Sequence, residues 1–307
     1  MTDRIPSGPL DPQPTPVVVQ AIPAVFVLLW STGWVMAKYA DLYADPLTFL
    51  VLRYSAASLL FVLFCLASGA RWPSSRVIAL RAVVSGMFLH GFYLAALFWA
   101  IGQGVPAALS GIIAGLQPLM TAAVAPMMVG ERLRPAQMLG LCLGFVGIAI
   151  AVFPKVLAID PGATPIHLLP VLVNIAGMAS VTYGTLYQKR HLQQSDIRTT
   201  AALQYVGALI VTVPLALMLE DLRVEWRFEL FAALAWAVLG LSMGAIALLL
   251  YLIRRGQVSR AASLIYLVPP LAAFQAWALF DEPITALMML GTAVAVLGVY
   301  LTNRGRA

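Results

Sequence analysis

A few polar side chains sit inside long apolar runs, where they could do chemistry in a low-dielectric medium. His90 lies in MFLHGFY, with Tyr93 three residues on and therefore on the same helical face. An imidazole placed there can bind a carboxylate or pass a proton. The alternative is a neutral ring hydrogen-bonded to a neighbouring helix. Gln117 directly precedes Pro118 in the charge-free run GVPAALSGIIAGLQPLMTAAVAP. Its amide donates and accepts, which suits a neutral or zwitterionic ligand, and an interhelical hydrogen bond would use the same groups. Pro118 removes a backbone donor and should free the carbonyl of Ala114, as Pro269 and Pro270 should free those of Ile265 and Tyr266. In a bilayer such breaks persist where they face protein or a wet cavity.

Aromatic residues with polar edges are the next candidates. Trp30 and Trp34, and Tyr183 and Tyr187, are each four residues apart, and Trp99, Tyr251 and Tyr266 add further rings. Such rings suit a cavity that is half apolar and half wet, or else a belt at the membrane surface. Lys38 falls near the end of its apolar run and Arg53 near the start of its own, about two turns deep at 1.5 Å per residue. Either they snorkel to the headgroups, or they face an outer vestibule and attract an anionic group, with Asp41 and Asp45 as possible partners. Glu131 and Glu282 occupy corresponding turns and read as structural caps or gate salt bridges.

The elements that position these groups follow from composition. The chain is 61% hydrophobic and 10% charged, with mean hydropathy +0.90, against about 25% charge in soluble domains. It is therefore read as an all-α integral membrane protein. Applying about 20 apolar residues per span gives ten spans, near 21–40, 47–68, 77–100, 104–128, 136–154, 165–188, 199–219, 229–252, 258–280 and 284–302. Residues 1–20, with five prolines and little charge, are expected to form a disordered tail.

An internal duplication is visible at an offset of 151 residues. Leu116 meets Leu267, Pro118 meets Pro269, Glu131 meets Glu282, Gly140 meets Gly291 and Gly147 meets Gly298. A weaker match pairs Trp34 with Tyr183. The halves are then 21–154 and 165–302, with five spans each. Five is odd, so the second half enters the bilayer from the opposite side. With the N-terminus cytoplasmic, 14 of the 19 basic residues fall inside and nine of the 13 acids outside, as the positive-inside rule requires. Both termini are thus expected in the cytoplasm, and the repeats are expected to be inverted.

The run YLAALFWAIGQGVPAALSGIIAGLQPLMTAAVAPMMVGERLRPAQMLGLCLGFVGIAI and its repeat ASLIYLVPPLAAFQAWALFDEPITALMMLGTAVAVLGVYL resemble the EamA family of the drug/metabolite transporter superfamily. The resemblance covers nearly the whole chain from residue 21. It implies a ten-helix inverted-repeat transporter, often an exporter of amino acids or other small metabolites from the bacterial inner membrane. Pro269–Pro270, where the first half has Pro118–Leu119, departs from strict symmetry of the two halves.

No zinc-protease, nucleophile-elbow or nucleotide-binding motif is present, and the carboxylates cluster at loops. No catalytic role, metal or cofactor is therefore expected. The expected site is formed between the repeats by Trp34, His90, Tyr93, Gln117, Pro118, Tyr183, Tyr266 and Pro269, with Lys38, Arg53, Glu131 and Glu282 at a gate or vestibule. The expected ligand is a small neutral or zwitterionic metabolite, with amino acids first. Efflux of lipophilic drugs is the alternative within transport, and a non-transporting sensor or assembly subunit is the alternative outside it. The expected partners are substrate and bilayer, not nucleic acid, and the chain is a monomer or a homodimer.

Overall fold

The structure, a computed structural model, describes residues 17–129, 135–157, 166–244, 247–248 and 268–304. Glu131 and Tyr266 lie outside the described residues. The helices are α1 (Val17–Asp41), α2 (Pro46–Ala67), α3 (Arg76–Gly86), α4 (Tyr93–Gly102), α5 (Ala107–Ile113), α6 (Leu116–Val129), α7 (Pro135–Val156), α8 (Leu168–His191), α9 (Ile197–Leu219), α10 (Phe228–Ala235), α11 (Val268–Phe280) and α12 (Ala286–Arg304). A π-helical segment, Met87–Phe92, joins α3 to α4, and a second, Trp236–Gly244, continues α10. Six stretches are long and apolar enough to cross a membrane: Pro46–Ala67, Arg76–Gly102, Ala107–Val124, Pro135–Phe153, Leu168–His191 and Ile197–Leu219. Three further apolar helices are shorter. A multi-pass membrane protein follows, because helices satisfy their backbone groups internally where water cannot.

Small residues decide which helices touch. A Cβ on Gly147 would strike the backbone of Gly291 and Ala295, and one on Gly298 the backbone of Gly140 and Gly144. The small-residue faces of α7 and α12 are therefore consumed by each other inside one chain. Glycines also bring α3 onto α9, where Gly86 meets the backbone of Gln204 and Gly207 meets that of Val83.

Carboxylates tie the helix ends together. Glu220 accepts from the backbone N–H of Leu47 (2.7 Å) and Thr48 (2.8 Å) and from the Thr48 hydroxyl (2.9 Å). It thus satisfies orphan donors at the start of α2. Burial pushes the Glu220 carboxyl above its ordinary range, and these hydrogen bonds oppose that shift. Glu282 does the same for α5, accepting from Ala107 N–H (3.1 Å) and Ala108 N–H (3.0 Å). The sequence places Glu282 at the start of the following helix, but its carboxylate caps a helix 175 residues away.

At the same end of the molecule Asp45 pairs with Arg223 (3.4 Å) and accepts its backbone N–H (2.8 Å). At the other end Asp196 caps α9 through Arg198 N–H (3.0 Å), pairs with the Arg198 guanidinium (2.7 Å) and accepts from Arg71 N–H (3.2 Å). Asp45 and Asp196 are 151 residues apart. Each begins a helix, and each takes a backbone N–H from a loop of the other half.

Candidate functional site

Arg53 organises the interior. It is the eighth residue of α2, and its side chain does not turn back to the surface. It is 7% exposed, and its Nη2 donates to the Ser242 hydroxyl at 3.3 Å. Ser242 is the fifteenth residue of the run that begins at Phe228, roughly 20 Å along its axis at helical rise. The guanidinium therefore points into the span, opposite to the direction of snorkelling. No ion pair to Arg53 occurs among the described residues, and its Nε is buried without a partner. A desolvated cation in this position costs about several kcal/mol unless something neutralises it.

Aromatic groups surround that charge. Tyr54 donates its hydroxyl to the His90 carbonyl (2.9 Å). That carbonyl lies in the first π-helical segment, whose wider winding is a common feature of functional sites. The His90 ring stacks on Tyr205, with centroids 5.0 Å apart and planes at 14°. Tyr205 also lies against Tyr54 (5.8 Å) and Phe61 (5.6 Å). Arg53 is close enough to His90, Tyr93 and Tyr205 for each to feel its charge. His90 and Tyr93 remain half-buried, not sealed. The structure thus brings together two separate stretches, Arg53 from α2 and the neighbouring pair His90 and Tyr93.

A second group gathers at α1, α5 and α11. Trp34 is buried, and a Cβ on Gly111 would stand 3.9 Å from its ring, 2.8 Å from Ala272 and 4.0 Å from the Pro269 carbonyl. Trp34 and Pro269 are therefore neighbours across Gly111. Beside them Gln275 donates to the Ser31 hydroxyl (2.9 Å), and Asn174 on α8 donates to Ser110 (2.7 Å). The Trp34 indole N–H and the Asn174 and Gln275 amide oxygens are buried without partners.

The remaining candidates are dispersed. Gln117 and Pro118 are half-buried. The Ala114 carbonyl, expected to be bare, accepts from Gln117 N–H at 3.1 Å because the chain tightens between α5 and α6. Tyr183 is exposed and packs edge-on against Phe88 (4.7 Å) and beside Tyr187 (5.8 Å), away from Arg53. Lys38 acts electrostatically on Asp41 at the end of α1. A cavity of about 410 Å³ opens at that end, lined by Asp41, Asp45, Trp99, Gln103, Glu220 and Asp221 among others. It contains none of the expected substrate residues.

Sequence reasoning passed over Tyr54, Tyr205 and Ser242. The signal was available, since Arg53–Tyr54 meets Gln204–Tyr205 at the same offset of 151. The two π-helical segments also correspond, Met87–Phe92 mapping onto 238–243 within Trp236–Gly244.

The model of the EamA-like transporter family matches residues 21–153 and again 168–304. The chain belongs to the EamA-like transporter family. It is a membrane transporter and not an enzyme. It is 24% identical over 288 residues to the uncharacterized transporter YvbV of Bacillus subtilis (strain 168), covering 91% of this chain and 90% of that protein. It is 24% identical over 296 residues to a probable amino-acid metabolite efflux pump of Escherichia coli (strain K12), covering 91% and 92%. A crystal structure of a protein 20% identical superposes with a TM-score of 0.62, covering 94% of this chain and 96% of the other, which shows the shared fold.

Proposed function

We propose that this transporter exports small neutral or zwitterionic metabolites, amino acids first, by alternating access between two inverted five-helix repeats. The repeats are 21–154 and 165–302, they follow a short tail of 1–20, and both termini face the cytoplasm of a bacterial inner membrane. The observation that carries the substrate reading is the Arg53–His90–Tyr205 group. It places aromatic faces and polar donors deep in the spans, while the described carboxylates stay at helix ends and loops. A transport site is mostly apolar with a few convergent polar groups. Such a lining suits a ligand with an apolar body and a small polar head.

The repeat reading draws support from structure. Paired irregularities at corresponding positions mark binding regions in inverted-repeat transporters, and the two π-helical segments stand at corresponding positions. The loops that meet also match. Those near residues 45, 105, 223 and 282 share one end of the molecule, and those near 71 and 196 share the other. That parity suits ten spans with an odd number in each half.

Uptake of labelled amino acids into proteoliposomes holding the purified full-length chain tests the proposal, run with and without a pH gradient. Saturable uptake of one class, above empty liposomes, is expected. Absence of flux for every amino acid from a monodisperse sample would remove the amino-acid reading and turn attention to lipophilic drugs.

A further inference from the structure

We infer that Arg53 is the anchor for a substrate monocarboxylate, and that the stacked His90–Tyr205 rings form the wall beside it. This deepens the transport reading of the same site and rests on it.

The argument starts from unmet bonding. A guanidinium carries five N–H donors and cannot lose its charge in a protein. Among the described residues Arg53 uses one of them, on Ser242 at a long 3.3 Å. The Ser242 hydroxyl meanwhile donates to the Ala237 carbonyl at 3.0 Å, so it offers Arg53 a lone pair but no charge. The Arg53 Nε is buried and unpartnered. Every ion pair among the described residues lies at a helix end or in a loop.

Geometry narrows the ligand class. A planar fork with free edges matches a carboxylate, which can take two parallel N–H bonds. One guanidinium balances one negative charge. No second Lys or Arg faces the group among the described contacts, so a dianion would remain half-neutralised in a dry site. The adjoining rings give an apolar surface for the ligand body, and Tyr93 and His90 are only half-buried.

The corresponding position in the other half sharpens the point. Gln204, 151 residues on, donates through its Nε2 to Ser85 (2.9 Å) and reaches the Gln188 amide oxygen (3.1 Å). The positions that match Ser85 and Gln188 for Arg53 hold Trp236 and Ala37. Arg53 thus lacks the internal partners that its counterpart has, and among the described residues its buried Nε has none.

The test uses purified full-length protein and three matched series on the leucine, phenylalanine and threonine skeletons. Each series contains the amino acid, its amide and the corresponding acid without the amine. Thermal stabilisation reports binding, and uptake into proteoliposomes reports transport. In the wild type, the carboxylate members of at least one series should act at concentrations at least about tenfold below the amide. Arg53→Lys should keep the preference with weaker binding, and Arg53→Gln should erase it. Equal action of acid and amide in the wild type, or an unchanged preference in Arg53→Gln, would overturn the inference. So would failure of every carboxylate to shift the wild-type protein.

Should both variants fail to fold, the wild-type acid-against-amide comparison decides alone. If acids without an amine bind through Arg53 while amino acids do not, the inference stands and the amino-acid reading falls. If only amides or amines are carried, transport stands and the inference falls.

Discussion

The Arg53–Tyr54 and Gln204–Tyr205 regions descend from one pattern and have been put to different uses. In the second, α3 and α9 meet backbone to backbone through Gly86 and Gly207, and Gln204 has bonding partners on both sides. In the first, the positions matching Gly86 and Gly207 are Ala237 and Ala56, so each carries a methyl group where the other pair has none. There the polar residue is a cation with one weak partner. The difference teaches that duplication need not give two sites. One copy can become a fixed joint while its twin keeps unfilled bonding capacity for a ligand.

The largest expected effect lies at the joint. Gly86→Leu must push α3 off the Gln204 backbone and should cost about 3 kcal/mol or more, read as a lowered unfolding temperature of the detergent-purified protein. Ala56→Leu, at the half-buried position matching Gly207, should cost much less. Equal losses would break the comparison.

Removing the two polar residues should act with opposite signs. Gln204→Leu removes the amide donor that Ser85 and Gln188 share and should destabilise by about 1 kcal/mol. Arg53→Met deletes a desolvated charge and should stabilise the ligand-free protein by about 1 kcal/mol or more. Thermal unfolding without substrate measures both, and destabilisation by Arg53→Met would mean that Arg53 already has its partner.

His90→Gln should slow transport by about tenfold and flatten its pH profile if the ring relays a proton. His90→Phe, which keeps the stack on Tyr205, separates packing from titration. Full transport with an unaltered profile in His90→Gln would remove the relay.

The smallest effect concerns the helix starts. The Arg198 guanidinium beside Asp196 holds its carboxyl down at about 2. A depressed pKa contributes stability that is complete above the unfolded value and is lost as pH falls through the folded one. Stability from this contact should therefore persist to pH 4 and fade between about pH 4 and 2. Asp196→Ala should remove that acid sensitivity at a cost of about 1 kcal/mol for the lost cap. An acid unfolding curve that is the same in the variant would count against it.

Much of this was legible in the chain. The apolar run lengths marked out the six stretches long enough to cross a membrane, and the offset of 151 pointed to the paired features now seen as packed faces of α7 and α12. His90 and Tyr93 were chosen because a polar group in an apolar run must be satisfied somewhere. The direction of Arg53 was not legible, because a long side chain two turns deep can run either way and only the position of Ser242 on another helix decides it. The π-helical segments carry no residue signature of their own. Tyr205 and Ser242 were hidden for a simpler reason: each is an ordinary residue in an apolar stretch until its neighbour is known.

The two carboxylate caps near residues 220 and 282 join ends that belong to different halves of the chain. A helix start clasped in this way gives up little when it is released at a surface, because water can take over the same amide donors. The clasps therefore work like buttons more than stitches. They join the two halves at that face without making the join permanent, and the work of parting them falls mainly on the apolar contacts beneath.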